Sequence, residues 1–92
     1  MNDPHQILVN DTVKAWEKYI TEGDRLYKLR DYGQATTFFQ KAIDISIHAR
    51  DESYALSLTK MGLCYFSIKD YTRAENHLKE GMEIRKQFLE KG

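Results

Sequence analysis

Apolar residues recur along this chain at steps of three and four. Val9, Val13, Trp16, Ile20, Gly23 and Tyr27 form one series; Tyr54, Leu58, Met61, Tyr65 and Ile68 form another. Such steps place side chains on one side of a helix. No stretch alternates apolar and polar residues long enough to make a strand. The only proline is Pro4, so little after it would break a helix. The pattern predicts four helices joined by short connections, which makes chain neighbours antiparallel. The first ends near Leu29. It starts either at Asp3-Pro4, with Gln6 as capping-box partner, or at Asn10-Asp11. The second runs from about Tyr32 to Ala49. The third follows Asp51-Glu52-Ser53, with Ser53 as its cap, and ends near Ile68. The fourth runs from about Tyr71 to Phe88.

Sliding the sequence by 39 residues exposes a repeat. Gly23 falls on Gly62, Asp31-Tyr32 on Asp70-Tyr71, Ala35 on Ala74 and Ile45 on Ile84. Tyr27 meets Phe66, Phe39 meets Leu78, Ile43 meets Met82 and Ala42 meets Gly81. A glycine inside a helix costs about 1 kcal/mol relative to alanine. Close approach of a second helix offsets that cost. Ala35 and Ala74, on the partner helices, are small for the same reason. Large residues then fill the flanks: Tyr19, Leu26 and Phe39 in the first unit, Leu58, Tyr65 and Leu78 in the second.

At these residues the chain resembles the tetratricopeptide repeat family, whose pattern is a large residue, Leu-Gly, Tyr, Ala, Phe, Ala and a final Pro. The second unit reads Leu58, Met61-Gly62, Tyr65, Ala74, Leu78, Gly81; the first reads Tyr19, Glu22-Gly23, Leu26, Ala35, Phe39, Ala42. Glu22 stands where leucine is usual, the closing proline is absent, and the period is longer than the family's 34. The resemblance implies an all-α fold of two antiparallel helical hairpins stacked as a short superhelix. It covers residues 11–90, with repeat one at about 12–50 and repeat two at about 51–89. Residues 1–10 are an N-terminal segment or an extension of the first helix.

Composition narrows the chemistry. Of 92 residues, 41% are hydrophobic and 30% charged, with fourteen basic and fourteen acidic side chains. The formal net charge of zero argues against a nucleic-acid footprint. The longest apolar run, Leu63 to Phe66, is far too short for a membrane span or a signal-peptide core. A single cysteine, Cys64, leaves no internal disulfide and suits a reducing, cytoplasmic setting. Asp44 and His48 could share a metal across a helical turn, but two exposed ligands are weak grounds for a site, and no metal or other cofactor is expected. Cys64, between Leu63 and Tyr65, reads as an inert core thiol rather than a nucleophile. Carboxylates lie among lysines and arginines as solvated faces. An enzyme is not expected.

The resemblance implies that the first helix of each hairpin lines a concave, partner-binding face. The matching positions are Glu17, Ile20, Asp24 and Tyr27 in the first unit and Leu56, Thr59, Leu63 and Phe66 in the second. Leu56, Leu63 and Phe66 are more apolar than a solvated groove needs. They bind a partner or a second copy, or else they pack inside the chain. The family's carboxylate clamp for chaperone C-termini needs lysine and asparagine where Ile20 and Asp24 stand, so that mode is disfavoured. The fourth helix spreads its apolar residues over about 160°, wider than one core contact needs. Met82, Phe88 and Leu89, with the Ile7-Leu8-Val9 segment, are therefore candidates for self-association. The expectation is a non-catalytic module binding a protein or peptide, as a homodimer or in a larger complex. The alternative is a homo-oligomerisation domain without a dedicated ligand.

Overall fold

A computed structural model describes the backbone of residues 4–91 and the side chains of residues 11–90. Four helices follow in order: α1 (Pro4–Lys28), α2 (Tyr32–Ser46), α3 (Glu52–Ser67) and α4 (Tyr71–Lys91). Helix α1 is already formed at Pro4, the first described residue, and Asp3 of the Asp3-Pro4 start lies outside the described residues. Asn10 and Asp11 lie inside the helix rather than capping it.

The two hairpin turns are built alike. Arg30 and Lys69 take positive φ, 62° and 67°, just beyond α1 and α3. The amides that follow reach back across the turn: Asp31 N–H donates to Leu26 O and Asp70 N–H to Tyr65 O, both at 2.9 Å. This closes the orphan carbonyls of the preceding helix. The same aspartates then open the next helix. The Asp31 carboxylate accepts from Gln34 N–H at 3.2 Å, and Asp70 accepts from Arg73 N–H at 3.3 Å. That double duty accounts for the repeated aspartate, Asp31 and Asp70.

The middle connection departs from the sequence reading. Helix α2 ends at Ser46, not Ala49, and residues 47–49 form a turn before Arg50 at φ 46°. His48 therefore lies past the last turn of α2 and shares no helical face with Asp44, which accepts instead from Gln40. The cap of α3 is Asp51 rather than Ser53. Its extended backbone lets one carboxylate oxygen accept from both Ser53 N–H (3.0 Å) and Tyr54 N–H (3.4 Å).

Each helix packs chiefly on its neighbours in the chain, α1 on α2, α2 on α3, α3 on α4. One continuous core runs through the stack, with Phe39, Ala35, Ala42, Leu58, Met61 and Cys64 almost completely buried. Gly23 lies under the Phe39 ring, and Gly62 lies under Leu78 with Ala74 behind it. Close approach thus explains Gly23 and Gly62. Three polar bonds stitch α1 directly to α3. Trp16 Nε1 donates to Ser57 Oγ at 2.8 Å, Lys60 Nζ pairs with Asp24 at 2.8 Å, and the Tyr27 and Ser67 hydroxyls share a bond at 3.1 Å. Ser57 also donates to Ser53 O, so its burial leaves no polar atom unpaired.

Candidate partner-binding surface

Helix α3 is covered on one side by α1 and α2 and on another by α4. What remains is a stripe at Leu56, Leu63 and Phe66, exposed at 41%, 43% and 58%. Thr59 lies in the same stripe, half-buried, its hydroxyl donating to Ala55 O. These side chains stand on one helical face because their spacing of three, four and three follows the helical turn. They are not core residues of the chain.

The four candidates on α1 are divided. Glu17 is exposed. Ile20 is 8% exposed and belongs to the core, on the side of α1 from which Trp16, Asp24 and Tyr27 bond to α3. Asp24 and Tyr27 are half-buried and already engaged by Lys60 and Ser67. Tyr27 also meets the Tyr32 ring edge-on at 5.3 Å. Asp24 and Tyr27 therefore serve the seam between α1 and α3. A hollow of about 80 Å³ on that seam, lined by Asp24, Tyr27, Phe39, Lys60 and Leu63, joins it to the open stripe. A second hollow, about 230 Å³, opens between α3 and α4 at Glu52, Ala55, Leu56, Thr59 and Arg85.

Sequence reasoning missed Tyr71, which is 56% exposed and touches Phe66 edge-on at 5.4 Å. The signal was available, since the 39-residue offset pairs Tyr71 with Tyr32 just as it pairs Phe66 with Tyr27. On α4, Met82, Phe88 and Leu89 are exposed at 71%, 47% and 64%. Met82 and Leu89 flank a shallow hollow with Arg85, Lys86 and Glu90. Ile7-Leu8-Val9 lies outside the residues whose side chains are described.

Electrostatically the surface is balanced. Lys60 neutralises Asp24, and on the outer side of α1 Arg25 donates to both carboxylate oxygens of Glu22, which lowers the Glu22 pKa. Cys64 is fully buried behind the stripe. Burial pushes its thiol up to about 11; the Asp24 carboxylate adds to the rise and Lys60 opposes it. A thiol so placed is protonated at neutral pH and presents no nucleophile. Among the described residues no group of three or more metal-ligating side chains comes together. Nor is any described helix long and apolar enough to cross a membrane.

Repeated hairpins, each closed by a small residue under a large one and stacked in a line, define a helical-repeat protein. The tetratricopeptide repeat family model matches residues 22–87, and the chain belongs to that family. Repeats of this family mediate protein–protein interaction and are typically non-catalytic. Neither the curated proteins nor the solved structures give a match.

Proposed function

We propose that this chain is a non-catalytic interaction module that takes a peptide or helix of a partner protein on the α3 stripe, in a cytoplasmic setting. The observation that carries the reading is the exposure of Leu56, Leu63 and Phe66 on one face of a helix whose other sides pack on neighbouring helices. Apolar side chains aligned in this way mark interaction sites. The test is affinity capture from the source cell with Leu56→Glu and Leu63→Glu variants. Each should lose most of the captured protein while keeping wild-type helicity by circular dichroism. Capture unchanged by both substitutions would overturn the reading.

A second reading, homo-oligomerisation without a dedicated ligand, is favoured by Met82, Phe88 and Leu89 on α4. Light scattering at high micromolar concentration separates the two. A constant monomer mass removes the second reading.

A further inference from the structure

The two repeats carry the same surface in two states, one covered and one open. On the first hairpin α3 lies across it. Ile43 is 6% exposed, and Tyr27 and Tyr32 are half-buried. Their counterparts on the second hairpin, 39 residues on, are Met82, Phe66 and Tyr71, at 71%, 58% and 56%. Even the aromatic pair is reproduced, Tyr27–Tyr32 at 5.3 Å and 66°, Phe66–Tyr71 at 5.4 Å and 64°. The α3 stripe and Met82 of α4 are therefore one face, continuous in register with an interface the molecule already forms.

The opposite end of the stack is closed. The α3 residues that bury against the first hairpin, Ser57, Met61 and Cys64, correspond to Lys18, Glu22 and Arg25 on α1. Here the unusual Glu22 is paired with Arg25 at the surface. A second copy stacked head to tail would press these charges onto Phe66 and Met82, at a desolvation cost that the contact does not offset.

We propose that the open α3/α4 face takes an amphipathic helix of a partner protein, in the place and register that α3 occupies on the first hairpin. This rests on the reading of the chain as a partner-binding module, and it specifies the partner's chemistry. On the first hairpin, α3 sets Ser57 against Trp16, Lys60 against Asp24 and Ser67 against Tyr27. On the second hairpin the counterparts are Leu63 and Phe66, both exposed, and Ala55, which is 3% exposed at the floor of the face. Alanine in place of the indole accompanies the hollow of about 230 Å³ beside Ala55. The partner helix therefore carries a large apolar residue where α3 has Ser57. It carries an apolar residue in place of Lys60, since no carboxylate answers there, and another in place of Ser67, since Phe66 has no hydroxyl. With apolar side chains kept at the Met61 and Cys64 positions, the stripe reads i, i+3, i+4, i+7, i+10.

The test uses the full chain and two fluorescent peptides of residues 50–70, both with Cys64→Ala. One also carries Ser57→Trp, Lys60→Leu and Ser67→Leu. Anisotropy titration should give micromolar binding for the triply substituted peptide, and at least about tenfold weaker binding for the control. Phe66→Glu or Met82→Glu in the full chain should weaken binding of the substituted peptide at least about tenfold. Met82, the more exposed, serves if Phe66→Glu disturbs the fold. Equal binding of the two peptides, or binding indifferent to both substitutions, overturns the proposal. So does a wild-type dimer that Met82→Glu makes monomeric and that the peptide cannot displace, since a second copy then holds the face. If the peptides fail while the α3 variants still lose their captured partner, the helix register is wrong and the interaction module stands.

Discussion

At position 23 an added methyl group would enter the Phe39 ring, which is 1% exposed and held on all sides. At position 62 it would meet the end of Leu78, at 2.8 Å from Cγ, and Leu78 is only half-buried. At position 33 it would meet nothing within 4 Å. Alanine at each site gains about 1 kcal/mol of helix propensity, against about 1–3 kcal/mol for overpacking a tight core. A glycine-to-alanine series should therefore rank by surroundings rather than by sequence context. Gly33→Ala should stabilise by about 0.5–1 kcal/mol. Gly62→Ala should be near neutral or mildly destabilising, and Gly23→Ala should destabilise by about 1–2 kcal/mol. Urea unfolding of the three variants checks the order, and a stabilised Gly23→Ala would refute the packing argument. That Gly23 and Gly62 are contact sites was legible in the sequence, because helical glycine needs a reason and the offset supplied it twice. That Leu78 is half-buried where Phe39 is enclosed was not legible, since it depends on which hairpin the rest of the stack covers.

The turns carry their own strain. Arg30 and Lys69 hold a left-handed backbone that favours glycine, at a cost of about 1–2 kcal/mol for an L-residue with a side chain. Arg30→Gly and Lys69→Gly should each stabilise by about 0.5–1 kcal/mol after the entropy of the more flexible unfolded chain is subtracted. The two sites lie in separate turns, so their effects should add within a few tenths of a kcal/mol. Thermal melts of both single variants and the double variant test this; a loss of stability in either would mean that the arginine or lysine side chain itself supports the turn. The paired Asp-Tyr announced these two turns in advance. The connection between α2 and α3 has no such duplicate. Asp51 and Ser53 are both good capping residues two positions apart, and only the extended backbone at Asp51 decides between them.

Across the whole molecule, Cys64 records how well the stack excludes water. Burial pushes its thiol up from the ordinary value of 9.0 to about 11. The unfolded chain thus loses its proton first as pH rises, and stability should fall between those values; Cys64→Ala should flatten that part of the curve. At pH 8, native protein should react with Ellman's reagent orders of magnitude more slowly than protein in denaturing urea. Rapid stoichiometric labelling of the native protein would contradict the buried position. The candidate site was partly legible. The resemblance to the repeat family named Leu56, Leu63 and Phe66, and the fold leaves these three exposed. The resemblance also named Ile20, Asp24 and Tyr27, which the fold buries or bonds to α3, because a matching position on the first helix serves an open groove in one unit and a seam between repeats in the other. Only the crossing of α1 by α3, through residues about forty positions apart, separates the two.

The neighbour-on-neighbour packing of the four helices also sets how the chain finds its structure. Most interhelical contacts join segments linked by a short turn, so little loop entropy is lost before contacts form. Such local topologies fold fast, on the order of microseconds to milliseconds. Either hairpin can serve as nucleus, with the other zipping onto it through α2 and α3. The two inner helices, braced on both sides, then form the last part to open.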